Sequence, residues 1–310
     1  MVEATTTKLN SEKYKEYLAG LLAGVATVII GHPFDTVKVK LQKHHNEVHG
    51  VKYRNGLHCT ARILQNEGIK GLYRGAASSF IGIGFESSLL FGMYSQTKQA
   101  LQVKLQSSGP DPVVIIPSAA LSGAVISFVL CPTELVKCRM QVQGTDSLVP
   151  KSSRYTGPLD CALKTFRTEG VRGNFRGGVT TFLRESVGNA VFFSVYENVR
   201  HVMHLQIKDA SRDYKSIAEL GIGLLSGGLG GVAFWLTVLP LDVAKTMIQT
   251  NPDQKCARNP FRVLNMVYKQ AGLRGCYAGL GPTIVRAFPA NAAAIVTWEF
   301  AMKILGIRHD

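Results

Sequence analysis

Four ionisable residues lie inside otherwise apolar stretches of the chain, where they could bind a charged ligand. They are Glu86, Arg184, Glu185 and Arg286. Charged side chains are costly in apolar surroundings and mark a functional site by default. Two carboxylates and two guanidiniums suit a ligand with one carboxylate and two separated cationic groups, because guanidinium and carboxylate pair through two hydrogen bonds.

Neutral amides accompany these charges. Arg184 and Arg286 each lie 13 residues before a glutamate, and Asn189 and Asn291 follow the two arginines at equivalent places. The combined set matches arginine, lysine or ornithine as a ligand. The alternative is that the charges form internal ion pairs, such as Arg184 with Glu185, and hold no ligand.

Other kinds of chemistry find little support. The sequence contains no nucleophile–base pair and no metal-ligand cluster, so we expect no enzymatic activity, cofactor or metal. The run Gly227–Gly231 lacks the Lys-Ser/Thr of a phosphate-binding loop and follows no strand, which favours helix packing. His32 and His58 are isolated and are expected in packing or loops. The scattered cysteines form no CxxC and are expected to be reduced.

A pattern that occurs three times determines where these residues lie. It reads Pro-x-acid-x-x-Lys-x-x-x-Gln, at residues 33–42, 132–141 and 240–249. Its acidic, basic and amide members are Asp35, Lys38 and Gln42, then Glu134, Lys137 and Gln141, then Asp242, Lys245 and Gln249. Offsets of three and seven residues place the three members of a copy on one helix face.

A second element follows each copy, at residues 67–75, 169–177 and 271–279. It reads acid-Gly, then aromatic-Arg-Gly, in the first two copies. Two patterns that recur three times in register indicate an internal repeat. The repeats are predicted at residues 1–106, 107–211 and 212–310.

Each repeat predicts a long apolar helix, a polar loop with a short helix, and a second long apolar helix. The six predicted spans are 17–42, 77–101, 115–141, 178–203, 217–249 and 280–304. Hydrophobic residues make up 46% of the chain and charged residues only 18%, below the roughly 25% that is usual in soluble domains. We therefore expect an all-α membrane protein with six transmembrane helices in three pseudo-threefold repeats.

The chain is strongly basic, with a net charge of +14. Basic residues cluster at the ends of the predicted spans, which favours contact with anionic lipid head groups. Nucleic-acid binding would need a basic patch with stacking aromatics, and the sequence has none, so no nucleic-acid partner is expected.

The two repeated elements resemble those of the mitochondrial carrier family over essentially the whole chain. The resemblance implies a monomeric, multi-pass transporter of the mitochondrial inner membrane, with the short helices on the matrix side and cardiolipin as a lipid partner. The third repeat departs from the family pattern, since uncharged residues replace a base, an acid and an arginine. These are Met247, Ala271 and Ala278, and we expect weaker local contacts there.

The resemblance implies a matrix gate formed by ion pairs between neighbouring repeats. The implied pairs are Asp35 with Lys137, Glu134 with Lys245, and Asp242 with Lys38. The three glutamines would brace these pairs, because an amide can donate to one partner and accept from the other. The alternative is a static ring of ion pairs.

The second helix of each repeat has a fainter pattern, aromatic-acid-x-x-base, which implies a cytoplasmic gate. The family's cyclic order would pair Lys98 with Glu197 and Arg200 with Glu299. The third pair lacks both partners, since Ser95 and Met302 occupy their positions. The cytoplasmic gate is therefore predicted to be weaker than the matrix gate.

Within the family, the central charges most resemble those of plant carriers of basic amino acids. That resemblance implies that Glu86 and Glu185 hold ammonium or guanidinium groups and that Arg286 holds the α-carboxylate. It implies transport of arginine, ornithine, lysine and possibly histidine by alternating access and exchange. Two alternatives remain open: a carnitine/acylcarnitine carrier, for which a second carboxylate at Glu86 would have less use, and a regulated proton or anion leak.

Overall fold

The computed structural model describes residues 2–45, 53–106, 110–143, 154–206, 212–250 and 259–304. These residues form helices and turns, and no strand occurs among them. The six long helices are α1 (Val2–His45), α4 (Ala76–Leu105), α5 (Pro112–Val142), α8 (Gly178–Gln206), α9 (Arg212–Thr250) and α11 (Leu280–Ile304). The first long helix of each repeat (α1, α5 and α9) is called odd below, and the second (α4, α8 and α11) even.

Short helices join the odd helix to the even helix in every repeat. They are α2 (Gly56–Glu67), α3 (Ile69–Leu72), α6 (Pro158–Glu169), α7 (Val171–Asn174) and α10 (Pro260–Cys276). The repeat-three helix α10 has a break at Gly272, so it corresponds to the two-helix pairs of the other repeats. Asn55 and Asn259 cap the starts of α2 and α10 by accepting a hydrogen bond from a backbone N–H of the first turn.

The six long helices close into a ring. Helix α1 packs against α11 and α4, α5 packs against α4 and α8, and α9 packs against α8 and α11. By length and composition, residues 18–43, 112–142 and 221–250 of the odd helices are apolar enough to cross a membrane. The predicted all-α architecture with six long helices is confirmed.

Tyrosines satisfy backbone carbonyls that prolines leave without a donor. Helices α1 and α9 continue through Pro33 and Pro240; proline has no N–H, so the carbonyl four residues earlier loses its helical partner. Tyr73 donates its hydroxyl hydrogen to the carbonyl oxygen of Ile29 at 2.8 Å. Equivalently, Tyr277 donates to Leu236 at 3.2 Å. In repeat two the aromatic residue is a phenylalanine, which has no hydroxyl to donate.

In each repeat, a glycine turn just before the even helix packs closely against the odd helix of the next repeat. Gly75, Gly177 and Gly279 have φ angles of 80°, 81° and 88°, a region that favours glycine. A Cβ at Gly75 would lie 3.2 Å from the carbonyl oxygen of Lys137, and one at Gly279 would lie 2.9 Å from Cγ of Lys38. The turns thus form three close seams: repeat one with α5, repeat two with α9, and repeat three with α1.

The described cysteines are free and buried, as expected; they are Cys59, Cys131, Cys138, Cys161 and Cys276. Cys256 lies outside the described residues. In the short helix α6, burial raises the pKa of the Cys161 thiol to about 11, which keeps this thiol protonated at neutral pH.

Candidate functional site

The ring of helices encloses a polar cavity of about 280 Å³. Side chains from all six long helices line it, among them Arg184, Glu185, Asn189 and Arg286. The cavity therefore brings together four of the six residues that the sequence predicts for a binding site. The side chains of the other two, Glu86 and Asn291, lie outside the described residues.

Three ion pairs between neighbouring odd helices close one end of the cavity. The three acids and three lysines of the repeated motif form them, in the cyclic order that the resemblance implies. Lys137 Nζ lies 2.7 Å from Asp35 Oδ2, Lys245 Nζ lies 2.5 Å from Glu134 Oε2, and Lys38 Nζ lies 2.7 Å from Asp242 Oδ2. The ring joins α1, α5 and α9 at this end.

The three ion pairs differ in burial and in their neighbours. The side chains of Lys38 and Asp242 are 9% and 5% exposed, whereas those of Lys137 and Asp35 are 23% and 20% exposed. Lys38 also lies over the ring of Trp235, with 3.7 Å from Nζ to the ring centroid, a distance at which a cation is attracted to the aromatic face. Of these two pairs, the one between α9 and α1 is therefore the more buried, and its lysine has an additional cation–π contact.

The glutamines of the motif differ from one another. Gln42 donates its amide hydrogen to Asp242 Oδ2 at 3.0 Å and accepts a hydrogen bond from Thr246 at 2.7 Å. Gln141 instead donates to Thr36 at 3.2 Å. Gln249 is fully buried, and within the described part of the chain its amide atoms have no hydrogen-bond partner. In this conformation the predicted bracing is seen for Gln42 and not for the other two.

Arg184 binds acids of the ring as well as its neighbour Glu185. Its Nη1 lies 2.9 Å from Asp242 Oδ1, and its Nη2 lies 2.7 Å from Glu134 Oε1. Nη2 also donates to Glu185 Oε1, so the internal ion pair considered as an alternative is present. The side chain is only 7% exposed, and its charge is therefore shared among three carboxylates.

Arg286 makes the equivalent contact with the third acid of the ring. Its Nε lies 3.3 Å from Asp35 Oδ1. Every acid of the ring thus has one lysine partner from an odd helix and one arginine partner from an even helix. Asn189 donates to the Glu185 carboxylate at 3.1 Å and to its backbone carbonyl at 2.8 Å, which holds the acid in place beside the arginine.

The other end of the ring carries a further interhelical ion pair. Lys98 pairs with Glu197 at 2.5 Å, and Tyr94 donates its hydroxyl hydrogen to the same carboxylate at 3.1 Å. Arg200 contacts the hydroxyl of Tyr196 at 3.2 Å. The predicted partner of Arg200 is Glu299, whose side chain lies outside the described residues, so that pairing stays a prediction.

Comparison with known families accounts for this arrangement. Three segments of the chain, residues 10–105, 111–206 and 218–309, each match the family described as mitochondrial carrier protein. The chain belongs to the mitochondrial carrier family. It is therefore a transporter and not an enzyme, and it is a multi-pass protein of the mitochondrial inner membrane. The resemblance inferred from the repeated motifs is confirmed.

Several curated relatives are similar to this carrier over nearly its whole length. The mitochondrial arginine transporter BAC1 of Arabidopsis thaliana is 63% identical, with 99% of this chain and 98% of the relative covered. The mitochondrial basic amino acids transporter of Bos taurus is 38% identical, covering 91% and 89%. The mitochondrial carnitine/acylcarnitine carrier-like protein of Arabidopsis thaliana is 34% identical, covering 96% and 100%.

Some cavity residues of the carrier were not found from the sequence. Trp235 and Phe234 line the cavity, although nothing in the repeated motifs marks them; a tryptophan inside a span is the one signal that could have drawn attention. His32 was expected in packing or a loop. It is 1% exposed and its Nε2 lies 2.9 Å from the carbonyl oxygen of Arg74, yet its ring also lines the cavity.

Proposed function

We propose that this carrier transports basic amino acids across the inner membrane by alternating access, in exchange for one another. The observation that carries the proposal is the cavity itself. In it Arg184 contacts Glu185 and two acids of the ion-pair ring, and Arg286 contacts the third acid. The similarity to an arginine transporter and to a basic amino acids transporter supports the same substrate class.

The contacts of Arg286 suggest how a substrate carboxylate would bind. Arg286 has Asp35 as its carboxylate partner, at 3.3 Å through Nε. An α-carboxylate could take the place of that acid, because guanidinium binds two oxygens of one carboxylate well. Asp35 would then keep only its lysine, so substrate binding would remove the contact by which Arg286 joins α11 to α1.

The contacts of Arg184 suggest how a substrate cation would act. Glu185 neutralises part of the Arg184 charge and is held by Asn189. A substrate ammonium or guanidinium that pairs with Glu185 would free Arg184 from this acid and change its hold on the ring. Both ends of the substrate would thus act on contacts that keep the matrix end closed, which links binding to opening.

The test is uptake into liposomes that contain the purified carrier and internal arginine. Labelled arginine, ornithine and lysine are expected to enter, and labelled carnitine is not. Arg286→Ala should lower the apparent affinity for every α-amino acid by on the order of a hundredfold, because the substrate carboxylate loses its partner. Arg167→Ala is the control, since it removes an exposed arginine of the short helix α6 that lies outside the cavity and outside both predicted gates.

Uptake of carnitine without basic amino acids would contradict the proposed substrate. Proton or anion flux that needs no internal amino acid would instead favour a leak. Equal losses of uptake in the two arginine variants would show that Arg286 is not part of the binding site.

We further propose that the carrier works as a monomer and binds cardiolipin. The helix ring closes within one chain, so the cavity needs no second copy. The net charge of +14 favours an anionic lipid. Mass spectrometry of the detergent-extracted carrier, with and without added cardiolipin, would test both statements.

A further inference from the structure

Outside the cavity, repeat one holds a second cluster of charges, called here the outer lock. Lys40 Nζ lies 2.6 Å from Glu67 Oε1, and Arg74 Nη1 lies 3.2 Å from Glu67 Oε2. Arg74 also donates to the backbone carbonyl of Gln143, at the end of α5. The outer lock of repeat one therefore connects its own odd helix, its short helices and the odd helix of repeat two.

Repeat two has an equivalent outer lock. Arg139 Nη2 lies 2.8 Å from Glu169 Oε1, and Arg176 Nη1 lies 3.3 Å from Glu169 Oε2. Arg139 Nε donates to the carbonyl oxygen of Gln249 at 3.1 Å, at the end of α9. This second outer lock connects repeat two with the odd helix of repeat three.

Repeat three has no charge at any of the three equivalent positions. Met247, Ala271 and Ala278 stand there. Met247 is 6% exposed and lies in an apolar cluster that includes Val267 and Cys276. The three charges are absent together, which avoids leaving one buried charge without a partner. The seam between repeat three and α1 therefore lacks the outer lock that the other two seams have.

We propose that the matrix end of this carrier opens first at the seam between repeat three and α1. That seam depends on the Lys38–Asp242 pair and on the Arg286 contact with Asp35, whose four residues line the cavity, and on the Gln42 amide that donates to Asp242. A ligand in the cavity can compete for these contacts. It cannot reach the outer locks, because none of their six residues lines the described cavity. Substrate binding can therefore release this seam directly, while the outer locks still hold the other two seams.

The test is to build the missing lock. The variant Met247→Arg, Ala271→Glu, Ala278→Arg gives repeat three the residues of repeat two. It should raise the thermal unfolding midpoint of the substrate-free carrier and reduce arginine uptake into liposomes several-fold. The matched control is Met247→Arg, Ala271→Gln, Ala278→Arg. This control has the same bulk but no acid, so it should neither raise the midpoint nor reproduce the slower uptake.

A reciprocal variant keeps the test decisive if the built lock does not fold. Arg139→Met, Glu169→Ala, Arg176→Ala gives repeat two the uncharged residues that repeat three has at the equivalent positions. It should lower the midpoint and increase the uptake rate, because a second seam is then free to open. A folded reciprocal variant with uptake no faster than wild type overturns the proposal.

Two further results would overturn it. One is a built lock that raises the midpoint but leaves uptake unchanged; the other is an equal loss of uptake in the built lock and its glutamine control. The inference rests on the proposed function only for the choice of arginine as the label. Wild-type uptake tests that choice separately, and the unfolding midpoint does not depend on it. If wild type takes up carnitine instead, the same variants are compared with carnitine.

Discussion

At the scale of single residues, each of the three acids of the ion-pair ring contacts two cations. Asp35 contacts Lys137 at 2.7 Å and Arg286 at 3.3 Å. The ion-pair ring and the arginines of the proposed binding site are therefore in direct contact in this carrier. A change at an acid of the ring alters both the closed end of the cavity and the arginine that the substrate would use.

Exchanging the two partners of one ion pair tests the cyclic order. Asp35→Lys and Lys137→Asp alone should each reduce uptake more than tenfold, because each leaves like charges facing one another. Combined, they should restore part of the uptake through the reversed pair. Recovery should stay incomplete, since Lys at position 35 faces Arg286. A double-mutant cycle on uptake rates measures the coupling.

The same cycle applied to Asp35 and Lys245 is the control, because these two residues belong to different pairs. Absence of any recovery in the Asp35/Lys137 combination, with folded protein in the membrane, would contradict the pairing as a functional gate.

The role of Glu86 is predicted from sequence and can be tested by removing its charge alone. Glu86→Gln keeps the size of the side chain. It should weaken binding of arginine, lysine and ornithine about tenfold or more, since loss of an ion pair in a confined site costs roughly 1.5 to 3 kcal/mol. Citrulline, whose side chain is neutral, should be affected far less. Competition of unlabelled arginine and citrulline against one label measures the difference.

An equal loss for both competitors would assign Glu86 to the α-amino group or to structure. The side-chain role would then pass to Glu185.

At the scale of helices, the proline of each odd helix and the aromatic residue of the following turn act together. Tyr73 and Tyr277 each donate to the carbonyl that a proline leaves free, four residues before it. Unsatisfied carbonyls cost several kcal/mol when they face lipid. Repeat two has Phe175 at this position, so the carbonyl of Phe128 receives no such hydrogen bond.

Adding the missing hydroxyl should stabilise repeat two. Phe175→Tyr is expected to raise the unfolding free energy by about 1 kcal/mol, the usual net contribution of one hydrogen bond. Tyr73→Phe is the matched reverse change and should lower it by a similar amount. Thermal unfolding of the purified carrier measures both. A Phe175→Tyr carrier that is no more stable than wild type would mean that this carbonyl already has another partner.

At the scale of the whole molecule, ion pairs are present at both ends of the cavity. The ring of three pairs closes the end that is predicted to face the matrix, and the described part of the other end has the pair between Lys98 and Glu197. Alternating access requires the two ends to open in turn, so their relative strengths set the preferred conformation. Ser95 and Met302 carry no charge, so we predict that the cytoplasmic gate is weaker than the matrix gate.

Supplying the missing cytoplasmic pair should shift this balance. Ser95→Asp combined with Met302→Lys is expected to slow uptake several-fold at most, because pairs near solvent contribute only about 0 to 1 kcal/mol. Ser95→Asn with Met302→Gln is the control for size without charge. Unchanged uptake, together with failure of cysteines at positions 95 and 302 to crosslink, would contradict the predicted proximity.

The repeat, the helices and the order of the ion pairs could be predicted from the sequence. Pro33, Pro132 and Pro240 open three copies of one motif, and the fixed offsets within a copy assign its members to a helix face. The order in which acids pair with lysines followed from the resemblance to the mitochondrial carrier family. The sequence determined the repeat and the helices because they depend on local periodicity, and the repeated motifs carried the resemblance.

Only the tertiary structure decided how the individual contacts are shared. Arg184 and Arg286 reach the acids of the ring, Gln141 donates to Thr36, and the side-chain amide of Gln249 has no partner among the described residues. These choices depend on the distances between neighbouring helices and on the side chains that compete for the same acceptor. The helices of three similar but unequal repeats do not pack identically, so residues at equivalent positions in the sequence meet different partners across the cavity.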